Sequence, residues 1–314
     1  RLLDGGQFGK DIMDMNPPHV WWISAMPVWL ARQIGLRIDV AASVFTVAMA
    51  LLSVAAVARL TATAGLGRVP RNLFLVFAAL LVLFIPGYDF GQREHWMVLL
   101  TLPYIVARGC RPNNPAMSPA TGAAIGVAAC LGFCIKPYFL LLPVALEVWI
   151  LVRTRHLSSS IRPETIAMAT AGIVYAALTL TYARSYLEIE VPTALLGYWS
   201  YNSPMQEVLR SALILLAPAA MLLGLGYLTR QQGAQIPALA QALAVAGAAS
   251  CVAALIQMKA WAYHFLPSIV FLDLSAVILL TAENPRVDRL MLRRIAFAIL
   301  VVMAAVPAAF EAAR

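Results

Sequence analysis

The chain has 314 residues, of which 61% are hydrophobic and 12% charged, and its mean hydropathy is +0.79. Soluble domains run roughly 45–50% apolar and about 25% charged, so a soluble enzyme of this size would lack the charges to cover its surface. The net charge of +8 comes from 23 Lys and Arg scattered between apolar runs, which excludes a nucleic-acid-binding face as well as a disordered chain.

The first nineteen residues are polar. Asp4, Asp11 and Asp14 fall within eleven positions, ahead of Asn16-Pro17-Pro18, and the paired prolines force an extended exit. Asp11 and Asp14 share a face if the stretch is helical. A carboxylate here could take a proton from an acceptor hydroxyl in a glycosyl transfer. Clustered carboxylates could also hold a divalent metal, and a solvated acidic loop is the plain alternative. Residues 20–36 carry Trp21, Trp22, Trp29 and a central proline, a pattern expected for a helix lying at a membrane surface. The start at Arg1-Leu2-Leu3 shows no leading apolar run, and a preceding span is expected to be missing.

Apolar runs then predict spans at 39–59, 71–86, 94–108, 118–135, 137–152, 164–182, 208–229, 236–257, 262–281 and 294–310. The expected fold is an all-α polytopic membrane bundle of about ten spans plus the interfacial helix, forming one domain over 1–314. Residues 1–38 would be outer loop and surface helix. Thirteen of the 23 basic residues sit in alternate loops: Arg59, Arg68, Arg71, Arg108, Arg111, Arg153, Arg155, Arg162, Arg230, Arg286, Arg289, Arg293 and Arg294. Those loops are expected on the cytoplasmic side. Cys110, Cys130, Cys134 and Cys251 lie in or beside apolar runs and read as packing residues.

The opposite loops gather the chemistry. Gly87–Trp96 brings Arg93, Glu94 and His95 to the mouth of a span, where an arginine fork suits phosphate. Lys136 stands between two apolar runs, next to Pro137 and Tyr138, and either snorkels to head groups or binds an anion. The segment 257–264 adds Lys259, Trp261, Tyr263 and His264. Loop 183–207 adds Glu188, Glu190, Tyr198, Tyr201 and Asn202, which suit carbohydrate or any interface. Each has a plain alternative as an aromatic girdle or anchoring charge. His19 reads as structural and His156 has no evident partner. Glu147 and Asp273 fall inside predicted spans, where they either pair or mark a proton path.

An Asp opening the first outer loop, an aromatic soon after and a Pro-Pro before the next helix fall here at Asp4, Phe8 and Pro17-Pro18. This order resembles the C-type (GT-C) superfamily of membrane glycosyltransferases, in its protein O-mannosyltransferase and aminoarabinose transferase branch. The resemblance covers mainly residues 1–110, and Asp4-Gly5 replaces the usual Asp-Glu. It implies a polyprenyl-phosphate sugar donor, inversion at the anomeric carbon and Asp4 as base, with Asp11 or Asp14 as alternatives. It also implies donor phosphate bound by basic groups at outer helix ends, which suits Arg93, Lys136 and Lys259; Glu94, His95, Tyr138, Tyr263 and His264, from the motifs above, complete the expected substrate-binding set. The expected site faces the outside of a bacterial-type inner membrane, no metal is required, and sugar and acceptor stay unnamed. The competing reading is a transporter or lipid-carrier flippase using Glu147 and Asp273, and a third is a non-catalytic scaffold subunit.

Overall fold

The computed structural model describes residues 1–110, 117–228 and 235–281. Among these the fold is all-helical: α1 (Pro18–Ile34), α2 (Ile38–Thr63), α3 (Arg68–Phe84), α4 (Arg93–Cys110), α5 (Pro119–Phe133), α6 (Leu141–Thr154), α7 (Pro163–Tyr182), α8 (Val191–Gly197), α9 (Met205–Leu228), α10 (Ala238–Ile256) and α11 (Leu266–Thr281). Among the described residues six helices, two of them extended by an adjoining turn, are long and apolar enough to cross a membrane: 38–63, 137–154, 163–182, 205–228, 238–256 and 262–281.

This corrects the expectation of about ten spans. The expected spans at 71–86 and 118–135 form helices of only 17 and 15 residues, below the length of most spanning helices. That at 94–108 forms α4, which opens on Arg93-Glu94-His95 and is buried almost throughout. The expected span at 294–310 lies outside the described residues, as do Arg111, Arg230, Arg286, Arg289, Arg293 and Arg294.

The core sits where α11 and α4 pass through the bundle. Every residue of α11 except Leu272 is buried, packed by α10, α9, α3 and α4. The helices around them expose large apolar side chains outward, such as Leu51 and Leu52 on α2, Ile173 on α7 and Leu213 on α9. Lipid tails solvate such a surface and water does not, which is why the pattern is tolerated.

Helix α7 is held chiefly by α5, and the contact depends on small residues. A Cβ on Gly126 would lie 2.0 Å from the Glu164 carbonyl oxygen, and one on Gly122 would lie 3.2 Å from Pro163 and from the Glu164 carboxylate. Gly122 and Gly126, one turn apart, let the two backbones approach as small-residue seams do in membranes.

At this end of the bundle a buried ion cluster ties three helices. Arg108 of α4 donates to Glu147 of α6 at 2.8 Å, to Glu164 of α7 at 3.2 Å and to the Ser159 carbonyl at 2.9 Å. Tyr104 donates to Glu147 at 2.8 Å. Arg108, expected in a loop, is buried, and Glu147 is its partner.

Two outcomes test this architecture. Gly126→Leu should detach α7 and lower stability by about 2 kcal/mol or more, read in a detergent unfolding titration, whereas Gly224→Ala, with open space around its Cβ, should be neutral. In a cysteine-free background, cysteines at positions 88 and 156, both exposed at opposite helix ends, should label from opposite sides of a sealed vesicle; labelling from one side overturns the alternation.

Candidate functional site

At the end of the bundle opposite Arg108, a cavity of about 560 Å³ is lined by Asp14, Asn16, Arg93, Lys136, Tyr138 and Gln257, among others. Tyr186, Tyr198, Tyr201 and Trp261 make an aromatic wall, and Val191, Ala194 and Leu195 of α8 an apolar lip. Leu195 and Leu196 are each 78% exposed, so this lip presents its greasy side outward.

Lys136 reaches the cavity because α5 stops at Phe133. The residue before Pro137 is pushed to extended backbone, and Lys136 adopts φ −140°, ψ 143° before a single tight turn leads into α6. Its side chain is therefore carried inward, and the residue is only 5% exposed. The ammonium donates to the Glu94 carboxylate, to Gln257 Oε1 at 3.2 Å and to His264 Nε2 at 3.2 Å. Glu94 Oε1 lies 3.5 Å from the same His264 nitrogen. The Lys136 ammonium is also 5.7 Å from the Tyr263 ring centre. Burial pushes the lysine pKa down, the Glu94 carboxylate pushes it back up and Arg93 opposes it. One buried cation thus joins α4, the α5–α6 break, α10's end and the start of α11.

The N-terminal loop supplies the opposite wall. Asp14 Oδ1 accepts from the backbone and side chain of Asn16, at 3.0 and 2.7 Å, and Oδ2 accepts from Trp21 at 3.0 Å. Asn16 in turn accepts from Arg93. This short-range turn, followed by Pro17-Pro18, starts α1. The loop is docked through Phe8 and Ile12, which pack on Ala183 and Tyr186. Gly9 donates to Glu190 at 2.7 Å, and its φ of 78° and a Cβ clash with Ser185 at 2.7 Å both require glycine.

The structure therefore brings together Asp14, Arg93, Lys136 and Tyr138 in one cavity. Glu94 and His264 lie behind Lys136 as its buried partners. Asp4 and Asp11 are elsewhere, on a separate open depression with Arg1 and Lys10. Asp4 is clamped by Arg32 at 2.7 and 3.1 Å, which holds its carboxyl at about 2. Asp11 accepts from the Gln7 backbone at 3.0 Å. His95 accepts from Gly91 N at 3.0 Å and bonds the Val82 carbonyl at 2.8 Å, stapling the 87–91 turn to α3. Lys259 does not line the cavity. It is fully buried, donates to the Tyr198 carbonyl at 2.9 Å and to Asn202 at 2.8 Å, and lies 4.3 Å from the Tyr198 ring centre. It holds the aromatic wall in place. Tyr263 stacks on Trp261. Asp273 is buried in α11, with no hydrogen-bond partner among the described residues.

Asn16, Gln257, Tyr186 and the α8 lip were not singled out as site residues from the sequence. Asn16 and Gln257 stood inside noted motifs. Tyr186 sits in a π-helical turn, Tyr186–Glu190, which no helical or strand period signals. Among the described residues no group of three or more His, Cys, Asp or Glu is placed to hold a metal ion.

No family model, curated protein or solved structure matches the chain. Geometry alone carries the chemistry.

Removing one partner of a buried ion pair leaves the other charge uncompensated, a loss of roughly 3–5 kcal/mol. Glu94→Gln should therefore destabilise the protein by about that amount, while Glu94→Gln combined with Lys136→Met should recover most of it. A loss in the double variant equal to the sum of the losses in Glu94→Gln and Lys136→Met alone, read by the same detergent titration, would show that the pair is not coupled.

Proposed function

We propose that the chain is a membrane glycosyltransferase that moves a sugar from a polyprenyl-phosphate donor to an acceptor hydroxyl at the outer face of the membrane, with inversion. The observation that carries this reading is the cavity's make-up: two cations, Arg93 and Lys136, one carboxylate, Asp14, and an apolar lip at α8. An amphiphile with a phosphate head and a greasy tail matches that arrangement. Its phosphate meets Arg93, the Lys136 ammonium beside it adds charge while staying bonded to Glu94, Gln257 and His264, and its chain leaves over Leu195 into the bilayer.

In this reading Asp14 replaces Asp4 as the base. Asp14 spends three of its four lone-pair positions on Asn16 and Trp21, which leaves one on Oδ2. That oxygen takes the proton of the acceptor hydroxyl as the acceptor oxygen bonds to the anomeric carbon. The bond from that carbon to the phosphate oxygen breaks, and its electron pair leaves with the lipid phosphate. Negative charge grows on the phosphate in the transition state, where fixed cations aimed at it lower the barrier. Glu94 is a positioning residue, because it touches Lys136 and not the cavity. Arg32 keeps Asp4 ionised and engaged at the surface, far below the range useful for a base near neutral pH.

The reading is tested in vesicles with undecaprenyl phosphate carrying a radiolabelled hexose or pentose and total membrane lipid as acceptor. Asp14→Asn should cut transfer by about 100-fold or more, the scale of a lost general base. Asp4→Asn and Asp11→Asn should stay within about threefold of the unmodified chain. Arg93→Gln should raise the donor KM. Undiminished transfer by Asp14→Asn overturns its role, and no transfer from any of the donors overturns the reading.

A further inference from the structure

A second cavity, of about 750 Å³, opens at the same end of the bundle. Asp89 and Gln92 line it from the turn before α4, Glu207 and Arg210 from the first turns of α9, and Trp261 and Tyr263 from the chain entering α11. Trp261 borders both cavities. Its ring stacks on Tyr263 with centres 5.8 Å apart and planes 24° apart. The Lys136 ammonium of the first cavity's floor lies 5.7 Å from the Tyr263 ring centre, while that ring lines the second cavity. The two spaces are thus divided by an aromatic partition one or two rings thick.

Their chemistry differs. Where the first cavity sets two cations against one carboxylate, the second sets two carboxylates, an amide and one guanidinium around flat aromatic faces. An anionic head is poorly matched by Asp89 and Glu207. A pyranose ring is well matched: its C–H face stacks on Trp261, and its hydroxyls both donate to carboxylates and accept from Arg210 and Gln92. Concave sites with a few convergent polar groups are where such ligands bind.

We infer that this second cavity is a binding site for an uncharged, hydroxyl-rich group, a sugar ring, lying across the Trp261–Tyr263 partition from the anion-binding cavity. Resting on the transferase reading, it is the acceptor's side of the reaction, and Trp261 is the residue that both cavities share.

The binding step is measured without any transfer. The full chain in nanodiscs is titrated with methyl glucoside, methyl mannoside and methyl galactoside, and saturation-transfer NMR reads each dissociation constant. At least one glycoside should bind saturably. Glu207→Gln and Arg210→Gln, both at exposed positions that leave the core intact, should each weaken it at least tenfold. Arg93→Gln should leave it within twofold, and inorganic phosphate should not displace it. Non-saturating response to all three glycosides, affinity unchanged from the unmodified chain in the two α9 variants, or displacement by phosphate overturns the inference. A failed transfer assay beside a positive titration removes the transferase reading and leaves the sugar site; a flat titration removes the sugar site whatever the transfer assay gives.

Discussion

A lysine ammonium held inside an apolar bundle is costly, because taking a charge out of water is repaid only by close partners. Lys136 sits where α5 breaks, and the architecture of the cavity end follows from satisfying it. Glu94 must be carried in from α4, so the helix that fills the core begins with a charged turn instead of an apolar one. Gln257 and His264 must converge from the end of α10 and the start of α11. The pairing fixes the relative height of four chain segments, and the cavity is the space those segments leave beside Arg93.

The opposite end solves the same problem differently. Arg108 is surrounded on all sides, by Glu147, Glu164 and a carbonyl, and its side chain is 1% exposed. It serves to knit α4, α6 and α7. Lys136 has a comparable set of partners, yet its side chain still borders a cavity. Two buried cations with similar sets of partners thus differ: one knits helices and the other also borders a cavity. The transporter reading drew on Glu147, and its engagement by Arg108 makes it a lock between helices. Asp273 remains the one intramembrane carboxylate of that reading with no partner among the described residues.

Much of the fold was legible from apolar run length, and the errors have a common cause. Hydropathy reports how greasy a segment is, and a helix buried by its neighbours is as greasy as one facing lipid. Helices α3, α4 and α5 pass the first test and fail the length or charge requirement for spanning. The site was legible as a set of polar groups collected at alternate loops: Arg93, Glu94, Lys136, Tyr138 and His264 do converge. Their division of labour was not legible. Nothing in the sequence around Lys259 distinguishes a cation that binds a ligand from one that grips the Tyr198–Asn202 turn, because the difference is made by residues some sixty positions away.

The choice among Asp4, Asp11 and Asp14 shows what distance in sequence conceals. Position in the loop favours Asp4, yet three residues decide otherwise. Arg32, at the far end of α1, reaches back to Asp4 and takes both its oxygens. Asn16 turns the chain so that Asp14, ten residues later, borders the same cavity as Arg93, and Gly9 lets the intervening loop lie flat against Ser185 and Glu190. A general base must reach the reacting proton before its proton affinity matters. Asp14 borders the cavity, whereas Asp4 would have to leave Arg32 and cross the loop that Phe8 and Ile12 anchor. The geometry therefore ties the shape of this cavity to the docking of residues 5–16, and it makes the N-terminal loop a wall of the cavity instead of a tether.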